Sequence, residues 1–284
     1  MKFMINFITV VNTKENNLKT PKIIVWEFFF ILIFIKTFKM KKLLFIVSLL
    51  FFCYSYSQEL KQNQRVWFAY TGQYKVSNHW GYHIEAQFRM DNQLKQNQQN
   101  LFRIGAIYYL KSNKSFSAGY GLITTYNAGV DDYFKENRLW EQYQYSKYWN
   151  ETKNTIIHRF RFENRWVEKL IVLNNNVVSL GNSFQNRFRY LNRNLFHLLN
   201  FNSTNEELYA ILQNEVFLNA GDNKVNSKLI DQNRFLVGLG LNYNKNIRLE
   251  LGYMNHFITS TSATNVMNHT ISVSLLQNLD LQKH

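Results

Sequence analysis

Apolar and polar residues alternate along most of the chain beyond residue 65. Between residues 80 and 90, for example, every even-numbered residue is apolar or aromatic, whereas the odd-numbered residues include Glu85 and Arg89. Successive side chains of a β-strand point to opposite faces, so this pattern predicts strands rather than helices. Eleven such strands can be drawn, at 65–74, 80–90, 101–110, 115–126, 137–149, 155–167, 183–193, 207–219, 233–243, 247–257 and 267–277.

The connections between these strands alternate between short and long. Tight polar turns lie at 111–114, 150–154 and 244–246. Longer polar loops lie at 91–100, 127–136, 168–180, 219–231 and 259–266. Short turns at one end and longer loops at the other are typical of outer-membrane barrels, which in bacteria have an even number of strands. We therefore predict an all-β, membrane-spanning, antiparallel up-and-down β-barrel of twelve strands, with ten strands as the fallback.

The N-terminal part of the chain predicts export. Residues 40–57 contain the three parts of a secretory signal peptide, namely a lysine pair, an apolar run and small residues before the cleavage point. We expect residues 1–39 to be an upstream extension outside the fold and residues 58–284 to form one outer-membrane barrel. The apolar run at 23–35 is shorter than the roughly 20 residues that a membrane-spanning helix needs.

The positions of arginine and lysine distinguish a barrel from a soluble β-sandwich, whose strands would also alternate between apolar and polar residues. Nearly all of the 12 arginines fall inside predicted strands on the polar face, whereas the 13 lysines of residues 58–284 fall almost entirely in predicted turns and loops. Arginine suits a narrow polar interior because its planar fork can pair with carboxylates and also bond backbone oxygens. The segregation favours a barrel interior over a solvated sheet face.

Strand length and aromatic residues favour the same class. The predicted strands run for 10–13 residues, which is longer than the usual soluble strand of about 5–6 residues and enough for the roughly 9–11 that cross a bilayer at a tilt. Trp80, Trp149 and Trp166 lie near predicted strand ends, where aromatic girdles meet the membrane interfaces. Glu141 fits poorly, because it shares a face with Leu139. We expect either that it lies near a rim or that the register of this segment differs from the simple alternation.

The polar faces of the strands are expected to line the lumen, and Phe160, Phe162 and Trp166 to meet lipid. One interpretation of the lumen is structural, because buried charges in a narrow barrel need partners. The other is a narrow pore that favours anions, or a site for an acidic headgroup or saccharide, because arginine exceeds glutamate. The lumen-lining candidates are Glu85, Arg89, Arg103, Arg159, Arg161, Glu163, Arg165, Arg187, Arg189, Glu215, Arg234, Arg248 and Glu250, with Arg138 and Arg193 on the same faces.

The residues give little support to catalysis, metal binding or nucleic-acid binding. Some outer-membrane lipid hydrolases carry a His-x-Ser pair on one strand, but none of the seven histidines is followed two residues later by serine. Residues 58–284 contain no cysteine and no ligand-spaced histidines, and the basic residues form no patch. We expect no cofactor. The alternatives to a barrel with a structural or conducting lumen are an outer-membrane lipid-modifying enzyme and a soluble periplasmic β-sandwich binding protein. Expected partners are outer-membrane lipid and the barrel-assembly machinery, with small anions or acidic saccharides as candidate ligands.

Several segments resemble the uncharacterised domain-of-unknown-function family number 2490. They include "HRFRFENRW" at 158–166 and follow one another in the family's order across almost all of residues 58–284. The resemblance implies a Gram-negative outer-membrane β-barrel and implies no activity. The segments that carry it are 65–89, 136–149, 158–166, 185–190, 213–219 and 231–253.

Overall fold

The computed structural model describes residues 60–91, 94–149, 153–201, 206–221, 224–261 and 264–283. The predicted extension at 1–39 and the predicted signal peptide at 40–57 lie outside the described residues. The described part is all-β apart from a 3₁₀ helix at Leu281–Lys283. Its strands are β1 Leu60–Lys75, β2 Trp80–Asp91, β3 Gln96–Lys111, β4 Lys114–Asn127, β5 Asp132–Trp149, β6 Asn154–Leu173, β7 Asn176–Asn200, β8 Glu207–Ala220, β9 Ile230–Asn242, β10 Ile247–Ile258 and β11 Asn265–Asp280.

The strands close into a barrel in which each strand pairs with its neighbours in sequence and β1 pairs with β11. The prediction of twelve or ten strands is therefore wrong: the described residues form eleven, and both sides of every strand are occupied. All eleven segments drawn from the alternation correspond to these strands. The even-number expectation comes from bacterial barrels, and odd numbers are known among mitochondrial ones.

The odd strand number dictates how the barrel closes. Strands of an up-and-down meander alternate in direction, so the first and last of eleven run the same way. The β1–β11 pair is accordingly parallel, with Leu60 opposite Asn265 and Lys75 opposite Asp280, whereas all other pairs are antiparallel. The two ends of the barrel can be named from this seam. We call the end where β1 begins the N-terminal end and the end where β11 finishes the C-terminal end.

Alternation along the strands separates an apolar outer face from a polar interior. On β6, Phe160 and Phe162 are exposed, whereas Arg161, Glu163 and Arg165 are buried. Large exposed apolar side chains occur on the outward face of every strand. The interior buries arginine and glutamate together with a smaller set of aliphatic and aromatic side chains. In a soluble β-protein the apolar face of a strand is normally the buried one, whereas here the apolar face is exposed.

A small apolar cluster and two glycines shape one part of the interior. Buried Trp67, Tyr209 and Leu236 pack together inside the barrel. Gly105 makes room for the neighbouring Trp140 indole, since a Cβ at this position would lie 2.6 Å from a ring atom. Gly240 does the same for the Tyr209 ring. These large side chains can therefore lie flat against the barrel wall.

Glu141 lies on the outward face, as its pattern indicates, but not near a rim. It is exposed in the middle of β5, opposite Ala118 on β4 and Phe162 on β6. The alternation of β5 is uninterrupted around it. The outer face therefore carries one mid-strand carboxylate among aromatic and aliphatic neighbours.

A long hairpin projects from the N-terminal end, where the sequence predicted a loop at 168–180. Pairing of β5 with β6 stops at Val167, and pairing of β7 with β8 starts at Asn186, so the residues between them pair only with each other. The hairpin turns at Asn174 and Asn175, both of which have positive φ. Asn is one of the residues that tolerate this conformation, which two-residue hairpin turns require.

Shortening this hairpin should leave the barrel intact. We expect a chain in which residues 170–179 are replaced by an Asn-Gly turn to unfold at the same urea concentration as the full-length chain, because the deleted residues form strand pairs only within the hairpin. The measurement is a urea titration followed by tryptophan fluorescence. A large fall in the midpoint would show that the hairpin stabilises the barrel.

Among the described residues, no helix is long and apolar enough to cross a membrane.

Candidate functional site

All the arginines of the chain lie in the interior of the barrel. Every one of the 12 arginines lines one or both of two internal cavities, of about 250 and 240 Å³; no lysine lines either of them. Inward-facing positions on the strands supply these side chains, as the alternation requires. Seven carboxylates accompany them, namely Glu85, Asp91, Glu136, Glu163, Glu215, Asp231 and Glu250.

Each of the 13 lumen-lining candidates from the sequence lies in this interior. Nine of them line the cavity nearer the C-terminal end: Glu85, Arg103, Arg159, Arg161, Arg189, Glu215, Arg234, Arg248 and Glu250. Arg89, Arg165 and Arg187 line the cavity nearer the N-terminal end. Glu163 is fully buried among its partners. Arg138 and Arg193 are also inside, one beside each cavity.

Glu163 is the centre of the ion-pair network. Its carboxylate accepts hydrogen bonds from Arg187 Nη2 at 2.6 Å, from Arg189 Nη1 at 2.7 Å and from Arg103 Nη2 at 3.3 Å. A fourth guanidinium, that of Arg138, lies 4.0 Å away. The four arginines come from β3, β5 and β7, so this single side chain ties together strands on different sides of the barrel.

Glu215 and Glu136 extend the network on either side of Glu163. Glu215 accepts from Arg189 at 2.7 Å and from Arg159 at 2.8 Å. Glu136 accepts from Arg138 and Arg165, each at 3.0 Å through Nη2. Arginine and carboxylate therefore pair across these strands, and each of the three glutamates contacts at least two arginines.

The network divides the interior into two compartments. Trp67, Arg103, Arg189 and Arg234 line both cavities and so lie between them. The guanidinium of Arg234 stacks over the Trp67 ring at 5.0 Å, and that of Arg189 lies 4.4 Å from the Phe217 ring. Ion pairs and stacked rings therefore occupy the space between the two cavities.

A loop covers the N-terminal compartment. Asn226, in the connection between β8 and β9, is buried. Its side chain donates to Asp231 Oδ1 at 2.9 Å and to the Thr259 carbonyl at 3.0 Å, and its own carbonyl accepts from Asn219 at 3.1 Å. The connection is thus held at the N-terminal mouth by contacts to β8, to β9 and to the residue that follows β10.

The C-terminal compartment is open. The cavity of about 250 Å³ shares Gln144, Ile157 and Arg248 with a larger one of about 510 Å³, which includes the rim residues Lys153 and Lys245. The two spaces are therefore continuous with the C-terminal mouth. The C-terminal compartment and this larger space together form a cup at the C-terminal end.

Three arginines stand outside the ion-pair network. Among the described residues, Arg89, Arg161 and Arg248 form no ion pair with a carboxylate. Arg89 donates to two glutamine side chains in the N-terminal compartment. Arg161 donates only to Gln142 Oε1, at 2.9 and 2.6 Å. Both guanidinium groups are buried in the part of the chain that the structure describes.

The family comparison adds one finding to this geometry. The family model "protein of unknown function (DUF2490)" matches residues 64–268. The chain belongs to this family. The DUF2490 match includes all 12 arginines and all seven interior carboxylates. No curated protein and no solved structure matches the chain.

Four residues that form interior ion pairs in this DUF2490 protein are absent from the sequence-based candidates: Arg65, Asp91, Glu136 and Asp231. Arg65 pairs with Asp91 at 3.1 Å, and Asp91 lies in the predicted loop at 91–100. Glu136 was placed in a loop at 127–136, but β5 begins earlier, and continuing the alternation back from Arg138 would have found it. Asp231 was placed in the loop at 219–231. It lies where the β8–β9 register shifts, so simple alternation assigns it no face. It nevertheless pairs with Arg187 at 2.9 Å.

No group of three or more His, Cys, Asp or Glu side chains capable of holding a metal occurs within the described ranges.

Proposed function

We propose that this protein is an outer-membrane β-barrel whose ion-pair network closes the interior, so that it is not a through pore. In this proposal the apolar outer face meets lipid, and the partners during biogenesis and residence are the barrel-assembly machinery and outer-membrane lipid. The signal-peptide pattern at 40–57 and the implication of the family resemblance support the location.

The outer face supports contact with lipid. Phe88, Phe116 and Leu251 are each more than half exposed on strands of the closed barrel, and similar side chains surround them. Monomeric soluble proteins rarely expose contiguous apolar surface of this extent. A bilayer would cover it. Glu141 is the exception, and a carboxylate costs less on a lipid-facing strand than lysine or arginine does.

The contacts inside the barrel support the proposal that it is closed to ions. Glu163 alone engages four arginines at mid-height, and Asn226 ties a connecting loop across the N-terminal mouth. An open ion path would need a continuous aqueous route between the two mouths. In this proposal, the ion pairs and rings around Trp67 and Arg234 interrupt such a route. Closure by a paired network therefore explains the arginines better than conduction does.

Purified protein in planar lipid bilayers tests closure. We expect insertion without stepwise ion conductance, because in this proposal the ion pairs and rings between the two compartments block the passage of ions. A double variant that carries alanine in place of Trp67 and Arg234 removes part of the partition and is expected to conduct more than the wild type. Well-resolved, anion-favouring conductance of the wild-type protein would contradict closure and favour the pore.

A further inference from the structure

Arg161 is a buried cation whose protein neighbours do not neutralise it. Its exposed fraction is 2%, and its only hydrogen-bond partner among the described residues is the neutral amide of Gln142. Its guanidinium also lies 5.1 Å from the ring centre of Trp140. Buried charges in proteins are normally paired. An anion from solution would supply the missing partner.

The space beside Arg161 is accessible from the C-terminal mouth. Arg161 lines the cavity of about 250 Å³ that continues into the vestibule of about 510 Å³. Pockets that bind small molecules have volumes of roughly 300–1,000 Å³. Arg248 lines both spaces and also makes no ion pair among the described residues. A ligand could therefore pass Arg248 on its way to Arg161.

The carboxylates in this compartment are already engaged. Glu85 pairs with Arg103, Glu215 with Arg159 and Arg189, and Glu250 with Arg193. The side-chain Nε–H of Arg159 is buried without a partner. Unpaired donors and surplus positive charge thus converge on one space, which is the arrangement that binds an anion.

The rest of the lining mixes apolar side chains, such as Leu191, Ile211 and Met254, with neutral hydrogen-bonding groups. Gln144, Gln213, Ser272 and Ser274 face the same cavity. Amides and hydroxyls can each donate and accept, so they suit the hydroxyl groups of a sugar. A small inorganic anion would use the guanidinium groups and leave these groups without a role.

We propose that the C-terminal compartment is a binding site for a sugar that carries a carboxylate or a phosphate. The anionic group would bind Arg161 at the floor of the cup, with Arg248 at its entrance, and the sugar hydroxyls would bind the glutamine and serine side chains. The site needs only the interior of the barrel. A failed binding test therefore leaves the outer-membrane proposal standing, and a failed location test leaves the site standing.

The test is calorimetric titration of the detergent-purified full chain with galacturonate, glucose 6-phosphate, glucose and inorganic phosphate. We expect one-to-one binding of at least one sugar anion, at least tenfold tighter than glucose or phosphate. Arg161→Gln should weaken it at least tenfold. Arg89→Gln is the matched control, because it removes another buried arginine without an ion pair, but from the covered N-terminal compartment; its affinity should equal that of the wild type.

A second variant keeps the test decisive should Arg161→Gln fold poorly. Gln142→Glu places a carboxylate against Arg161, so it should preserve the fold and still weaken sugar-anion binding at least tenfold. Titration with a lipid-linked acidic saccharide separates a free sugar from a glycolipid headgroup as the source of the ligand. Binding of no sugar anion, or equal binding in Arg161→Gln, Gln142→Glu and wild type, would overturn the proposal. Equal affinity for phosphate and glucose 6-phosphate would overturn its sugar component.

Discussion

Glu163→Ala is expected to lower the free energy of unfolding by about 3–5 kcal/mol, the range observed when one member of a buried ion pair is removed. Glu163 is fully buried, and four arginines surround its carboxylate. Alanine at this position leaves several guanidinium groups in one small space with no negative charge between them. Repulsion then adds to the lost hydrogen bonds. The measurement is the urea midpoint of the protein refolded into lipid vesicles.

Glu207→Ala is the matched control for this change. Glu207 also accepts a hydrogen bond from an ionisable partner, His197, at 2.6 Å, but it lies at the C-terminal rim, where both side chains are about one-fifth exposed. Partly exposed pairs contribute about 1 kcal/mol or less. If Glu163→Ala and Glu207→Ala cost the same, the interior network is not what holds the barrel together.

Leu239→Arg is expected to destabilise the barrel by about 2–4 kcal/mol in a bilayer, which is the cost of a basic side chain at the lipid-facing midplane. Leu239 lies within β9 and is 52% exposed, so the folded protein has room for a longer side chain. The change in stability therefore depends on whether water or lipid surrounds this face. In water, arginine at this position would be tolerated; in hydrocarbon, its charge is desolvated.

Leu229→Arg makes the same change at a leucine that is 68% exposed but lies in the connection before β9 rather than on a strand. A bilayer account predicts a loss of no more than about 1 kcal/mol at this position. The pair can be compared by urea titration in vesicles of one lipid composition. Equal, small effects of the two substitutions would show that the outer face of β9 does not meet lipid.

The sequence predicted the architecture well because alternation is a local signal. Each predicted strand needed only its own residues, and all eleven segments are strands in the structure. The final count was nevertheless wrong, because a general rule on even strand numbers replaced the direct count. No local sequence pattern encodes the pairing of β1 with β11 that closes the barrel. The parallel β1–β11 pair joins residues about 200 positions apart, such as Leu60 and Asn265.

The sequence predicted which side chains share the polar face, but not which of them pair with each other. Alternation put Arg159, Arg161 and Glu163 on one face, yet it could not show that Glu163 is enclosed by arginines while Arg161 has only a glutamine. Those partners come from other strands, and the stagger of the strands decides which side chains meet. The register shift at Asp231 and the buried Asn226 depend on tertiary contacts as well.

Heat-modifiability of the protein in outer membranes tests whether the closed barrel spans the membrane. The full chain is expressed in a Gram-negative host, the outer membrane is isolated, and unheated and boiled samples are compared by electrophoresis in SDS. A closed barrel that spans the membrane is expected in this fraction, with a mobility that shifts on boiling because the ladder of backbone hydrogen bonds resists the detergent until heated. A soluble periplasmic protein that migrates identically with and without boiling would contradict the account.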